Sequence, residues 1–273
     1  METHTVQVTT SDQIQLYAQV TSAGSGPWVV WLHGFTGSAR NWRSSLRRLP
    51  GMQHIVFDLR GHARSEAPVE PTAYSLARVA QDVHEVLAHC RQDSAEPVIL
   101  VGLSLGAMVA LEALRQQREQ YHSLVLVSPP NATHTESVAS FASHFADAID
   151  AKGLQAAGEQ FVWGGDRPPR EAELIRQGFF DHQADALRHL LRGAIAELPD
   201  LKESAAQIQA FGVDRVLLMV GDQDAPALAF AEELVAILSK LQVSKITDGG
   251  HLLNLTSGPE FCDALSRFIT QRR

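Results

Sequence analysis

Five short apolar runs constrain the fold of this chain more than any other feature of its sequence. They occupy residues 28–32, 55–57, 98–101, 124–127 and 216–220. None alternates with polar residues as a strand with one exposed face would, so each is typical of a central strand that helices cover on both sides. The sequence therefore predicts an α/β fold built on a mostly parallel, doubly wound sheet of about eight strands.

The remaining local patterns agree with this fold class. Residues 6–20 carry apolar side chains at every second position around a Ser11-Asp12 turn, which indicates an antiparallel hairpin. Between the apolar runs, apolar residues recur at spacings of three and four, as they do over residues 76–87. A last helix is expected from Pro259, because proline is favoured at the first helical position. Strands and helices thus alternate as in a parallel α/β sheet.

One interval is too long for this alternation. About 90 residues separate the runs that end at Val127 and begin at Val216, whereas a strand-helix-strand unit needs only ~30 residues. The surplus has helical apolar spacings of its own. We therefore predict a core formed by residues 1–128 and 206–273, interrupted by a helical cap over residues 129–205.

Composition excludes several classes of protein. The chain has 273 residues and a formal net charge of −8, which argues against a nucleic-acid partner because such a partner needs a basic face. Two cysteines cannot build a disulfide framework. No basic-then-apolar leader is present, and no apolar run approaches the ~18 residues of a membrane span. We expect a cytoplasmic protein that acts on a small molecule; the sequence leaves its oligomeric state open.

The strongest local motif is Gly102-Leu103-Ser104-Leu105-Gly106. It matches G-x-S-x-G and lies between an apolar strand and a helical stretch, which is the context this motif requires. Such a turn exposes the serine hydroxyl at the end of the strand, beside a helix N-terminus that favours developing negative charge. Ser104 is therefore the predicted nucleophile.

A second motif could supply part of an oxyanion hole. His33-Gly34-Phe35-Thr36-Gly37-Ser38 directly follows the first apolar run. Acyl transfer needs two donors for the oxyanion of the tetrahedral intermediate. We expect one donor to be the backbone N–H of Leu105, which follows the nucleophile, and the other to be the backbone N–H of Phe35.

Two more motifs complete the set that acyl transfer requires. Asp224 follows the apolar run that ends at Val220, and the sequence Gly-Gly-His ending at His251 follows the last predicted strand. Sites in open α/β sheets form at these strand ends. His251 would accept the proton of the serine, and Asp224 would hold the imidazole in the right tautomer. Asp222 and Asp248 stay open as rival acids.

In this order, the four motifs resemble those of the α/β-hydrolase fold superfamily. Residues 58–65 also resemble its D-x-R-G-H-G-x-S turn, although Ala63 stands where the family usually has glycine, and Ala107 replaces a second common glycine. The resemblance is closest to small capped esterases, enol-lactone hydrolases and C–C bond hydrolases. It implies an acyl-enzyme on Ser104, water activated by His251, and no metal or organic cofactor. The sequence likewise lacks an H-E-x-x-H motif and a phosphate-cradling glycine loop.

A serine hydrolase of a small carboxylic ester or lactone is the function we expect. One alternative uses the same triad for C–C bond hydrolysis or for a lyase step like that of the menaquinone-pathway synthase, which residues 32–38 resemble. Leu252 and its successors, however, lack the arginine and the tryptophan found after the histidine in those enzymes. A further alternative is a receptor or sensor that retains the triad without turnover.

Substrate selection is expected from the cap and from the residues around the serine. The apolar candidates for the pocket wall, beyond the two oxyanion-hole residues, are Phe141, Phe145, Trp163, Phe179 and Leu252. Four arginines could instead bind a substrate carboxylate, although solvated positions are the simpler interpretation; they are Arg40, Arg43, Arg167 and Arg176.

Overall fold

The computed structural model describes residues 2–22, 26–91, 98–133, 135–164 and 168–271. Its strands are β1 (Glu2–Thr9), β2 (Gln15–Ser22), β3 (Trp28–Leu32), β4 (Gln53–Phe57), β5 (Val98–Leu103), β6 (Tyr121–Val127), β7 (Val216–Gly221) and β8 (Gln242–Ile246). They form one sheet in the order β1-β2-β4-β3-β5-β6-β7-β8. β1 pairs antiparallel with β2, and β2 pairs antiparallel with β4, whereas every later pair is parallel. The predicted fold class is therefore confirmed.

Helices follow most of the strands. The α-helices are α1 (Arg43–Arg48), α2 (Leu76–Cys90), α3 (Leu105–Gln116), α4 (Thr135–Gly158, broken at Gly153), α5 (Pro169–Phe179), α6 (Ala184–Leu190), α7 (Leu201–Phe211), α8 (Ala225–Ile237), α9 (Leu253–Thr256) and α10 (Gly258–Thr270). Short 3-10 turns occur at Ala39–Trp42, Pro71–Tyr74, Arg118–Gln120 and Val213–Arg215, and π turns at Glu159–Trp163 and Leu191–Ile195. Across the described ranges, no helix is long and apolar enough to cross a membrane.

The two faces of the sheet bury separate apolar clusters. Val30 and Leu32 of β3 face the cluster formed with α2, α3, α7 and α8. Val29 and Trp31 face the cluster formed with the Ala39–Trp42 turn and α10. Successive side chains of a strand point to opposite faces, so a strand covered on both sides is apolar throughout. This double coverage explains why the central strands appear in the sequence as uninterrupted apolar runs.

Residues 129–205, the cap segment, contain α4, α5, α6 and the start of α7. Phe145, Phe179 and Leu187 belong to an apolar cluster of this segment that is distinct from the two sheet clusters. α7 instead buries Ile208 and Phe211 in the sheet cluster. The predicted boundary at residue 205 thus falls inside a helix that packs on the sheet side, and the division into core and cap stays a prediction.

A buried arginine fixes the turn that follows β4. The side chain of Arg60 is fully buried and donates two hydrogen bonds to Asp82 of α2, at 2.6 and 2.7 Å. It also donates to Asp12 in the β1–β2 turn at 2.9 Å. Burial by itself would raise the pKa of Asp12, but hydrogen bonds from Arg60 and Thr10 lower it to about 2. Arg60 thereby links the hairpin, α2 and the β4 turn through charge-assisted hydrogen bonds.

Two buried histidines hold the loop after β3 against the turn after β4. The backbone N–H of Leu59 donates to His33 Nε2 at 2.9 Å, and the backbone N–H of Thr36 donates to His62 Nε2 at 3.3 Å. Burial lowers the pKa of His33 to about 4. Burial, with the neighbouring His33 and His182 rings, also holds the pKa of His62 well below its usual value. Both rings must be neutral, because a protonated imidazole could not accept these bonds.

The cap segment contributes a third ring to this arrangement. His182 packs edge-on against His62 with ring centroids 5.0 Å apart, and its Nδ1 accepts the backbone N–H of Ala63 at 3.0 Å. Burial lowers the pKa of His182 as well. Ala63 adopts a positive φ of 45°, which explains why glycine is common at this position of the resembled motif. A row of neutral rings thus joins the cap segment to both loops.

Acid should destabilise the fold, and His54 offers a clean test. His54 is fully buried, accepts from Trp31 Nε1 at 3.2 Å and donates to the carbonyl of Leu49 at 3.1 Å. Burial lowers its pKa to about 4. Between pH 6.5 and pH 4 the unfolded chain binds a proton that the folded chain excludes, so stability falls as the pH falls.

His54→Gln keeps one acceptor and one donor but does not titrate. Urea unfolding at pH 7 and pH 5 should show that wild type loses about 2 kcal/mol more stability than this variant over that range. An identical loss in the two proteins would contradict a neutral, buried His54.

Candidate active site

Ser104 lies at the sharp turn between β5 and α3. Its backbone has φ 54° and ψ −119°, a strained conformation for a residue other than glycine. A Cβ atom at Gly102 would lie 2.1 Å from the carbonyl oxygen of Gly106, and one at Gly106 would lie 2.3 Å from the carbonyl oxygen of Leu32. The two glycines therefore allow α3 to approach β3 and β5 closely. This close approach places the serine at the end of β5, where it faces a cavity.

Two residues of the same cavity wall have unpaired backbone N–H groups. Phe35 and Leu105 both line it together with Ser104, and neither backbone N–H has an acceptor within the part of the chain that the structure describes. The loop that carries Phe35 is held by the bond from Gly37 N–H to the Gly34 carbonyl, at 2.9 Å. Two fixed and unpaired N–H groups beside a serine are the donors that an oxyanion hole requires.

His251 is oriented by Asp224. The two residues follow β7 and β8, and Nδ1 of the histidine lies 2.7 Å from Oδ2 of the aspartate. Neither rival acid makes such a contact: Asp248 accepts a bond from Gln223 at 3.5 Å, and Asp222 Oδ1 is buried without a hydrogen-bond partner in the described chain. With Nδ1 paired to Asp224, Nε2 is the ring nitrogen that is left as an acceptor.

Ser104 and His251 line the same cavity, but no hydrogen bond joins them among the described residues. Nucleophile-to-base bonds are often long in the absence of substrate and tighten in the Michaelis complex. The serine, the histidine and the residues of both backbone donors therefore line one cavity, and the histidine is already paired with Asp224.

A carboxylate of the cap segment also contacts this site. Glu171, at the start of α5, is buried, and its Oε2 accepts the backbone N–H of His251 at 3.0 Å. No pattern in the sequence predicts this contact, because Glu171 belongs to no motif and lies 80 positions from the histidine. It fixes the loop of His251 against the cap segment.

The cavity has a volume of about 220 Å³. Of the predicted wall residues, Phe141, Phe145 and Leu252 line it. The cavity wall also contains apolar residues that were not predicted from the sequence, namely Leu103, Pro130, Phe161, Val162, Leu174, Ile175, Leu191, Ile195 and Leu198. Among the described lining residues, the polar side chains are Thr36, Asn41, Ser104 and His251, and none is a lysine, arginine, aspartate or glutamate.

Two predicted wall residues lie behind the cavity instead. Phe179 is fully buried and stacks in parallel with Phe145 at 6.4 Å. Trp163 packs edge-on against Phe179 at 5.0 Å. Phe145 therefore lies between Phe179 and the cavity, and the side chains of Phe179 and Trp163 pack in the apolar cluster of the cap segment.

None of the arginines proposed to bind a substrate carboxylate is among the described residues that line the cavity. Arg40 pairs with Asp181 at 3.2 Å and Arg176 pairs with Glu173 at 3.0 Å. Arg43 is exposed, and Arg167 lies outside the described residues. Within the described ranges, no group of three or more His, Cys, Asp or Glu side chains is arranged to hold a metal ion.

Comparison with known proteins shows what this chain and its fold resemble. A Bacillus subtilis protein assigned as a 2-succinyl-6-hydroxy-2,4-cyclohexadiene-1-carboxylate synthase is 27% identical over 97% of this chain and 98% of its own length. The pimeloyl-[acyl-carrier protein] methyl ester esterase of Methylococcus capsulatus is 30% identical over 92% of this chain and 97% of its own. A thermophilic esterase from Thermogutta terrifontis has the same fold, with a TM-score of 0.82 at 22% identity, covering 98% of this chain and 99% of that one.

The resemblance noted from the motifs is confirmed by a family-level match. The sequence pattern of the Alpha/beta hydrolase family matches residues 29–264, which include the whole candidate site. The mostly parallel eight-stranded sheet agrees with that assignment. The chain is therefore a member of the Alpha/beta hydrolase family.

Proposed function

We propose that this protein is a serine hydrolase that cleaves a small, uncharged carboxylic ester or lactone through an acyl-enzyme on Ser104. One observation carries the proposal: a single apolar cavity contains Ser104, the His251 ring held by Asp224, and two unpaired backbone N–H groups. These are the nucleophile, base, orienting acid and oxyanion donors of acyl transfer.

In the proposed reaction, Ser104 Oγ attacks the scissile carbonyl while His251 Nε2 accepts the hydroxyl proton. The negative charge that develops on the carbonyl oxygen is stabilised by the N–H groups of Phe35 and Leu105. Collapse of this intermediate breaks the C–O bond, and His251 returns the proton to the departing alkoxide. Water then attacks the acyl-enzyme by the same steps, and the carboxylic acid leaves. Asp224 keeps Nδ1 protonated throughout, so that Nε2 is the basic nitrogen.

The size and the lining of the cavity support a small, uncharged substrate. Its volume of about 220 Å³ is below the range of about 300–1,000 Å³ that is usual for drug-sized ligands. Its described wall has no charged side chain, so a charged group would lose hydration without gaining a counter-ion. The esterase relative from Methylococcus capsulatus, which aligns over nearly the whole chain, supports ester cleavage.

A lyase step with the same triad is the second candidate. It is favoured by the relative from Bacillus subtilis, which also aligns over nearly the whole chain. The compound that names this relative carries a succinyl and a carboxylate group, both anionic at neutral pH. Because the described cavity wall offers no arginine or lysine, we place ester hydrolysis first.

Removal of the nucleophile is the first test. Ser104→Ala should abolish hydrolysis of p-nitrophenyl butyrate while thermal unfolding stays close to that of wild type, because the serine side chain has no structural hydrogen bond among the described residues. Turnover by this variant at the wild-type rate would refute the proposal. Wild type that binds the ester without turnover would instead indicate a receptor or sensor.

Substitutions of the two aspartates that follow β7 provide a test and its matched control. Asp224→Asn should lower kcat by about 10⁴-fold, because an amide stabilises the wrong tautomer of His251. Asp222→Asn should change kcat by less than about twofold, since Asp222 does not contact the histidine. Steady-state kinetics on one ester measures both. The opposite ranking would make Asp222 the orienting acid.

A charged ester separates the two candidate functions. Compared with p-nitrophenyl butyrate, p-nitrophenyl hemisuccinate should have a kcat/KM lower by about 100-fold, because its carboxylate meets no cation in the cavity wall. Leu252→Arg, which adds a cation to that wall, should narrow the difference. Preference of wild type for the hemisuccinate would favour the lyase candidate.

A further inference from the structure

The polar side chains of the cavity are more numerous than the proposed chemistry needs. Ser104 and His251 have roles in acyl transfer, whereas Thr36 and Asn41 have none. Asn41 lies in the 3-10 turn Ala39–Trp42, which follows the loop of the oxyanion donor Phe35. Asn41 is therefore a polar group in an apolar cavity that calls for a separate explanation.

Three hydrogen bonds fix the position of Asn41. Its side-chain Oδ1 accepts the backbone N–H of Ser38 at 2.6 Å. Its own backbone N–H donates to the Ser38 carbonyl at 3.0 Å. Its carbonyl accepts from Nδ2 of the buried Asn254 at 2.9 Å. Backbone and side chain are thus both held before any substrate is present.

The bond from Ser38 also determines which way the amide is turned. A backbone N–H can donate only to an acceptor, so the branch beside Ser38 must be the oxygen and the other branch must be the NH2 group. That NH2 group has no acceptor within the described part of the chain. Asn41 therefore presents an unused pair of donors in a fixed orientation.

The loop after β3 approaches both Asn41 and Ser104 through its glycines. A Cβ atom at Gly37 would lie 2.9 Å from Asn41 Oδ1, and one at Gly34 would lie 3.2 Å from Ser104 Cβ. The two glycines in turn are joined by a 2.9 Å hydrogen bond. Asn41 and Ser104 therefore lie against the same loop and line the same cavity.

We infer that the Asn41 NH2 group donates a hydrogen bond to the substrate, and that the substrate is an ester or lactone with a second oxygen acceptor, such as an ether, hydroxyl or keto oxygen. This inference rests on the proposed function. A purely apolar ligand would displace the water that bonds to the two N–H donors of Asn41 and would offer no acceptor in its place. A ligand with an acceptor oxygen would restore one of these hydrogen bonds. Asn41 is accordingly a specificity-determining residue.

A purely structural role for Asn41 makes a different prediction. If its only function were to accept from Ser38 N–H, aspartate would serve equally well, because a carboxylate oxygen accepts the same bond. Asn41→Asp keeps that acceptor but replaces the donor branch with an acceptor. The variant therefore separates support of the loop from recognition of a substrate.

The experiment compares two esters of equal heavy-atom number, p-nitrophenyl methoxyacetate and p-nitrophenyl butyrate, which differ by an ether oxygen in place of a methylene. We expect Asn41→Asp to lower the ratio of their kcat/KM values, methoxyacetate over butyrate, by about tenfold relative to wild type. The different intrinsic reactivities of the esters cancel in this comparison. An unchanged ratio would overturn the inference.

Two further variants complete the design. Asn41→Ser can also accept from Ser38 N–H but carries no charge, so an equal drop in the ratio excludes a general effect of the aspartate charge and serves if the aspartate variant fails to fold. Ile175→Val, on the cap side of the cavity, should change both esters by the same factor. A ratio lowered by Ile175→Val as strongly as by Asn41→Ser would overturn a specific role for Asn41.

Failure of this inference differs visibly from failure of the proposed function. If Ser104→Ala still hydrolyses both esters, the proposed function fails, whatever the ratio. If hydrolysis requires Ser104 but the ratio is the same in wild type and both Asn41 variants, only the role of Asn41 is refuted.

Discussion

The site depends on the close approach of three backbone segments at one end of the sheet. At the turn between β5 and α3, any side chain larger than hydrogen at Gly102 or Gly106 would collide with backbone atoms of α3 or β3. The approach places the Leu105 N–H beside Ser104 and brings the loop of Phe35 to the same cavity. Strain at the positive φ of Ser104 is tolerated because packing on both faces of the sheet holds the flanking elements in place.

The cap segment forms part of the cavity wall and also makes hydrogen bonds to the loops around the site. Glu171 accepts the backbone N–H of His251, and His182 accepts that of Ala63. These two bonds anchor the cap segment to the loop of His251 and to the turn after β4. The position of the cap segment is therefore coupled to the geometry of the site, because moving it would leave buried polar groups without partners.

Polarity is distributed unevenly around the cavity. Residues from the cap segment, such as Phe145 and Ile195, make its apolar side, whereas the loop and turn after β3 contribute Thr36 and Asn41. In cavities of this kind, the apolar wall binds the apolar part of a ligand, and a few polar groups fix the orientation of the ligand. The described wall residues carry no charged side chain, and the proposed preference for neutral substrates rests on this feature, because an ion would lose its hydration without gaining a counter-ion.

The sequence by itself determined the sheet and the candidates for the triad. Uninterrupted apolar runs indicate strands that are buried on both faces, and the glycines around Ser104 indicate a tight turn. Both signals are patterns of residues that are close together in the chain. Tertiary structure alone decided that Asp224 rather than Asp222 contacts His251, and that Trp163 and Phe179 lie behind the cavity. It also placed Glu171 at the site. These outcomes depend on how loops and helices orient their side chains toward residues that are distant in the chain. Local residue spacing does not determine that orientation.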